Sequence, residues 1–407
     1  MLLKSKNCKL FVLGALLSTA STLSVAGSLS HSWGHLSKYG VEAEKAWSLV
    51  KDKCSTSGVT VAVVDTGVDS SHPDLKNSLW VNTKELYGKP GVDDDGNGFI
   101  DDVHGWDFVT RSGKIIDNNN HGTHIAGIIG ARAGSSTGYS GICPGVKIMS
   151  LRYYDKNASG VQNLKNTVRA LEYAVSQGAD IINYSGGGAE FSRAEMMALK
   201  KAEEKGILVV AAAGNERSNS DVNLYFPAAY DLNNILSITA INAEGNVLPS
   251  SNWGIKKVQI AAPGNSILST LPGGSYGTMT GTSQATAFVS GIAALMLSVN
   301  KSLKVSDIKR RIVDTAVRHK QLVGKTQFGA TANAHRAVLA AENKAYEERM
   351  KPVQKTIKAR RLAGDEKNQQ ASLSKKTQKR ITARPNPKTT ARTNGSLLWD
   401  TILPRSN

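Results

Sequence analysis

Apolar and polar positions follow two rhythms along this chain. Short, nearly unbroken apolar runs occur at Val59–Asp65, Val146–Leu151, Ala179–Tyr184, Ile207–Ala212, Ile235–Ile241 and Val258–Ile260. They are rich in Val, Ile and Ala, and such runs predict strands buried on both faces. Apolar residues recur at helical spacing over His121–Ala131, Leu164–Gln177, Arg193–Lys205, Thr282–Val299 and Val305–Val317. Thr282–Val299 is apolar on nearly every side. Ala285, Phe288, Val289, Ile292, Leu295 and Met296 mark its period, so it reads as a buried core helix. Strands alternating with helices predict an α/β fold, a doubly wound, mostly parallel sheet with helices on both faces. One amphipathic stretch, Val41–Val50, lies in an otherwise polar lead-in over His31–Lys53.

Composition alters this picture at both ends. The 407 residues carry a net charge of +17, unevenly spread. From Glu342 onward there are sixteen basic and six acidic residues, with Pro385-Asn386-Pro387 and no sustained apolar period. Such a segment cannot bury enough apolar surface to order itself, and residues 342–407 are expected to be a basic, largely disordered tail. Within it, Lys344–Arg361 has some helical character, and Ser396–Pro404 is an apolar island. The tail could bind an anionic polymer, such as nucleic acid or a cell-surface polymer, or serve as a solubilising or disposable end. It lacks the interleaved aromatic residues that single-strand binders use.

At the other end, Lys4, Lys6 and Lys9 precede the apolar stretch Leu10–Leu17, and Ser24-Val25-Ala26 offers small residues for cleavage. Residues 1–26 therefore read as a signal peptide, with cleavage after Ala26 or, alternatively, Ala20. The apolar stretch is too short to remain as a membrane span. The expected location is secreted, periplasmic or cell-surface. Cys8 would leave with the signal, so Cys54 and Cys143 remain.

Candidate chemistry lies where regular elements begin or end. Asp65-Thr66-Gly67 ends the first strand. Asn120-His121-Gly122-Thr123-His124 opens a small-residue helix, and Gly281-Thr282-Ser283-Gln284-Ala285 opens the core helix. Ala213-Gly214-Asn215-Glu216 follows the strand Ile207–Ala212. Taken alone, Ser283 is a helix N-terminal serine and Asn215 a turn residue, the commoner roles for each. An Asp, a His and a Ser in that order, with the Asn between the last two, resemble the subtilisin-like serine proteases, the subtilases of peptidase group S8. The resemblance implies a serine endopeptidase acting on polypeptide substrates. Asp65 would orient His121, His121 would act as general base toward Ser283, and Asn215 would donate to the oxyanion. His121 and His124 do not form a zinc helix. That motif needs spacing of four with a Glu after the first His, and here the spacing is three and Gly122 follows.

The same resemblance assigns further positions. Ser185-Gly186-Gly187-Gly188 would pair with extended substrate, and Gly186 stands where relatives carry a larger apolar residue. Tyr225 would wall the specificity pocket and make it shallow. The acidic stretch Asp93-Asp94-Asp95-Gly96-Asn97-Gly98-Phe99-Ile100-Asp101-Asp102 offers oxygen donors at alternate positions. His104 stands where an EF-hand would have its glutamate, so this is a different loop. The expected structural cofactor is Ca²⁺, bound by Asp93, Asp95, Asn97, Asp101 and Asp102. Asp74 resembles a ligand of a second site, which departs from the family at Ser135. In this family the strands that follow Cys54 and Cys143 are neighbours. That places both cysteines at the strands' amino ends, paired or as two free thiols.

The expected organisation is a signal over 1–26, an N-terminal arm over 27–58, a catalytic domain over 59–341 and the tail over 342–407. The arm is too short to fold alone, so no inhibitory prodomain is expected, and loss of the tail would be the maturation step. The expected assembly is a monomer. Two other readings stand beside the general endopeptidase. One is a narrow-specificity processing peptidase, the other an inactive protease fold that binds through its basic tail.

Overall fold

The valine-rich run at the first strand has two cores to fill, and the structure supplies one on each side. A computed structural model describes residues 32–132 and 139–342. The expected signal peptide, the segment around Ser135 and the tail beyond Glu342 lie outside the described residues.

Eleven strands form among these residues: β1 (Thr60–Asp65), β2 (Gly105–Asp107), β3 (Lys147–Arg152), β4 (Ile181–Tyr184), β5 (Leu208–Ala212), β6 (Ile235–Ile241), β7 (Ile260–Pro263), β8 (Ile267–Leu271), β9 (Ser275–Met279), β10 (Val317–Arg318) and β11 (Ala330–Thr331). Nine make one sheet in the order β10-β11-β7-β6-β5-β4-β1-β3-β2, parallel except for the β10–β11 pair. β8 and β9 form a separate antiparallel hairpin.

Residues alternate between two apolar layers along each central strand, as the two-residue period of a strand requires. Val61 and Val63 of β1 enter one core with Leu208 and Val210 of β5. Ala62 and Val64 enter the other with Val209 and Ala211. The first core is filled by helix Thr282–Val299, helix His121–Gly130, the arm helix Ala43–Val50 and the closing helix Ala334–Glu342. The second lies under helices Gly160–Ser176 and Arg193–Glu204. This is the doubly wound α/β sheet expected from the alternation. Thr282–Val299 is long and apolar enough to cross a membrane by composition, yet 89% of it is buried inside the protein, as a helix apolar all round must be in a globular core.

The chain moves from β1 to β2 and β3 on one side, then returns to place β4 on the other side of β1. Ligands in open α/β sheets gather beyond the carboxyl ends of the strands at such a reversal. β1 and β4 end there, at Asp65 and just before Ser185.

Three differences from the sequence reading have physical causes. The short strand β2 lies at the sheet edge and offers too few residues for a period. The β8–β9 hairpin mixes Ser, Thr and Gly with its apolar residues. It follows β7 so closely that no separate run stands out. Helix Gly160–Ser176 starts earlier than Leu164 because Ser159 caps it, its hydroxyl accepting from the Gln162 N–H.

Candidate active site

Asp65 is the last residue of β1 and is 3% exposed. Its carboxylate accepts from the Thr66 N–H at 2.8 Å and lies 2.7 Å from His121 Nδ1. That contact fixes the imidazole by one nitrogen and turns Nε2 outward. His121 is the first residue of its helix. Burial alone would lower its pKa, but the Asp65 carboxylate, by charge and hydrogen bond, outweighs this with help from Asp117, and the ring is held above the ordinary histidine value.

Asp117, unremarked in the sequence, ties the two elements together. One oxygen accepts from Thr66 Oγ1 at 2.9 Å and from the N–H groups of Asn119 and Asn120 at 3.0 Å. The other accepts from the N–H and hydroxyl of Thr123 at 2.9 and 2.6 Å. It thus supplies acceptors to the unpaired N–H groups at the helix start, the job usually left to an N-cap residue. Thr66 Oγ1 in turn accepts from the Gly122 N–H at 2.9 Å. A Cβ on Gly122 would collide with the Gly67 carbonyl, so only glycine lets the helix start come this close to the β1 turn. A signal for Asp117 existed in its position four residues before the helix, but a lone Asp in a polar loop reads as a turn.

Ser283, 6% exposed, is the second residue of helix Thr282–Val299. Its hydroxyl donates to the Ser185 carbonyl at 3.0 Å. Among the described residues no hydrogen bond joins it to His121. Asn215 Oδ1 accepts from the Thr282 N–H at 3.0 Å and from its hydroxyl at 3.2 Å. With the oxygen so engaged, the exposed side chain keeps its NH₂ as a donor beside the N-terminus of the Ser283 helix. Asn183 braces the floor: its amide donates to Ser185 Oγ at 2.9 Å and its oxygen accepts from Ser290 at 2.8 Å.

His124 is buried beneath the β8–β9 hairpin, its Nε2 2.9 Å from the Ile267 carbonyl. Burial pushes it down to about 4, so it is a neutral packing residue rather than a ligand.

The pocket residues meet as two walls. The Tyr225 ring lies between Gly187 and Gly214, close enough that a Cβ on either would crowd it. Gly186 is required on different grounds, because a side chain there would collide with the Tyr153 hydroxyl.

In the acidic loop, Glu85, Asp93 and Asp95 bring carboxylate oxygens within 4.8 Å of one another. Glu85 lies before the loop and carried no sequence signal. Its buried carboxylate accepts from the N–H groups of Asp94, Asp95 and Asp101 at 2.8, 3.1 and 2.9 Å. Asn97 donates to Asp95 at 3.0 Å and to Asp102 at 2.9 Å. Burial raises Asp102 above the usual carboxylate value against hydrogen bonds from Tyr173, Asn97 and Asn82. Asp101 instead accepts from the Gly91 N–H at 2.9 Å. Asp74 stands apart from this group, with the Tyr276 hydroxyl 2.5 Å from its carboxylate.

Cys54 and Cys143 are bridged, with Cα atoms 5.5 Å apart. The strands that follow them, β1 and β3, pair in parallel from Thr60 and Lys147 onward, as the resemblance implied.

A doubly wound sheet with a carboxylate, an imidazole and a helix-borne serine at its reversal defines a class of α/β hydrolytic scaffold. The family model of the subtilases matches residues 56–349, and the chain belongs to that family. Subtilisin-like protease 1 of Plasmodium falciparum (isolate 3D7) is 32% identical over 305 residues, covering 70% of this chain and 44% of the relative. Thermitase of Thermoactinomyces vulgaris is 35% identical over 276 residues, covering 68% of this chain and 86% of the relative. A thermophilic serine proteinase of Bacillus sp. (strain AK1) is 35% identical over 271 residues, covering 67% and 59%. The matched region thus spans about half or less of the Plasmodium relatives.

Proposed function

We propose that this protein is an exported serine endopeptidase that cleaves polypeptides through an acyl-enzyme. The observation that carries the reading is the 2.7 Å contact between Asp65 and His121 at the sheet reversal, in a chain of this family. Ser283 Oγ attacks the substrate carbonyl once His121 Nε2 takes its proton. The imidazolium, stabilised by Asp65, then protonates the leaving amine. The developing oxyanion is met by the Asn215 NH₂ and the Ser283 N–H, both at the positive end of a helix. Tyr225 between Gly187 and Gly214 leaves room for only a small side chain at the residue whose carbonyl is attacked. Replacing Ser283 with Ala should abolish peptide hydrolysis and labelling by a fluorophosphonate probe with no change in melting temperature. Profiling cleavage of a denatured proteome reads the pocket, and sites dominated by large aromatic residues would overturn the shallow pocket. Undiminished hydrolysis by the Ala variant would overturn the mechanism.

The acidic loop is proposed to hold Ca²⁺ through Glu85, Asp93 and Asp95, with Asn97 and Asp102 bracing it. Hard oxygen donors suit this ion, and no Lys or Arg forms an ion pair with those three carboxylates among the described residues. The ion would supply stability to the loop rather than chemistry.

A further inference from the structure

A second cavity opens beside the substrate-pairing segment. Its volume is about 510 Å³, within the size of pockets that enclose a small ligand or side chain. Rings of Tyr153, Tyr154, Tyr184 and Phe226 wall it, and Glu190 and Glu195 supply its charge. Among the described residues that line it, none is basic.

Glu195 is the unusual member. It is 3% exposed, yet no Lys, Arg or His forms an ion pair with it among the described residues. Ser192 and Glu195 have the spacing of a capping box, in which the glutamate would reach back to the Ser192 N–H. The Ser192 hydroxyl does accept from the Glu195 N–H at 3.3 Å. The glutamate side chain turns into the protein instead, and the Ser192 N–H donates to the Tyr230 hydroxyl at 3.1 Å.

There Glu195 has too few donors. Tyr184 Oη lies 2.7 Å from one oxygen. Tyr230 Oη lies 2.8 Å from the other, but also 2.9 Å from the Ser192 carbonyl, and its single proton cannot serve both. An ionised carboxylate accepts at about four sites, and a buried one without a cation is costly. Burial accordingly holds Glu195 above the usual carboxylate value despite both tyrosines. A cation entering the cavity would supply the missing donors. It would also sit against aromatic faces, whose negative quadrupole favours it.

We propose that this cavity receives a lysine or arginine side chain of the bound polypeptide, with Glu195 as its buried anchor and exposed Glu190 as the second carboxylate. The inference rests on the peptidase reading and deepens it. Ser185 lies at the nucleophile, and the cavity begins at Gly187 and Gly188, two to three residues further along the pairing segment. At about 3.3 Å per residue, the cationic residue therefore lies two or more positions from the scissile bond.

Binding is measured on full-length Ser283→Ala protein by fluorescence anisotropy. The peptides carry Lys, Arg, Gln or norleucine at successive positions. At one position Lys or Arg should bind about tenfold or more tighter than norleucine, the scale of a charge-assisted hydrogen bond. Adding Glu195→Gln should collapse that ratio toward one, whereas a merely structural glutamate would weaken all peptides alike. If Glu195→Gln fails to fold, Glu190→Gln combined with Tyr154→Leu alters only exposed groups and should still lower the ratio. Equal affinity for all four residues at every position overturns the proposal, as does a preference that survives both sets of substitutions. Peptide hydrolysis without cation preference leaves the peptidase reading standing. Absence of any peptide binding overturns both.

Discussion

Two histidines three residues apart have opposite protonation behaviour because their neighbours differ. His124 sees carbonyls and buried surface and stays neutral. His121 sees Asp65 and, beyond it, Asp117, so its charged form is favoured. A general base works only when neutral, so raising its pKa moves the onset of activity to higher pH. The acid limb of kcat/KM against pH should therefore have its midpoint above about 6.5, the ordinary histidine value. Asp65→Asn should bring that midpoint down and lower kcat by roughly 10⁴-fold, the handicap measured for the equivalent change in a serine protease triad. An acid limb at or below the ordinary value in the unsubstituted protein would refute the electrostatic account. The proposed triad residues Asp65, His121 and Ser283 were legible because each stands in a short motif at an element boundary. Asp117, Glu85 and Glu195 were not, because each has at least one partner that only the fold brings to it. Thr66, Asp101 and Tyr184 lie 51, 16 and 11 positions from them, respectively.

Elements were legible where burial imposed a period. β6 and helix Thr282–Val299 have the bounds their patterns predicted, since each is buried along most of its length. β10 and β11, two residues each, carry no period at all. The acidic loop is intermediate: its composition raised the expectation of a cation site, but which oxygens converge depends on the fold of its turns. The N–H groups of Gly98 and Asn97 hold Asp93 below the usual carboxylate value. A ligand that binds only the native state raises stability by mass action. Chelator should then lower the melting temperature and hasten autolysis, and re-addition of Ca²⁺ should restore both. Asp93→Ala with Asp95→Ala should remove the sensitivity, whereas Asp101→Ala should leave it, since Asp101 is turned to Gly91. A melting curve indifferent to chelator would refute the site.

Among the described residues, the first and last segments meet on the first core. The Ala334 N–H donates to the Val41 carbonyl at 2.7 Å, and Asn333 donates to Glu42 at 3.0 Å. The arm is further tied to the sheet by the Cys54–Cys143 bridge. The sequence reading put a boundary near Ala341, where the composition turns basic, and the closing helix is described as far as Glu342. The structure shows why the last turn matters. Asn300 donates to the Ala341 carbonyl at 3.1 Å, Arg311 donates to the Ala340 carbonyl, and Lys53 pairs with Glu342. Arg311 is 2% exposed, so removing the Ala340 carbonyl would take an acceptor from a buried guanidinium. A chain shortened to residue 349, where the family match ends, keeps all of these contacts. It should fold, melt within a few degrees of the full chain and keep its peptidase activity. A chain shortened to residue 332 loses the closing helix and should be insoluble or inactive. If the 349-residue form is itself insoluble while the full chain is active, residues beyond it belong to the folding unit.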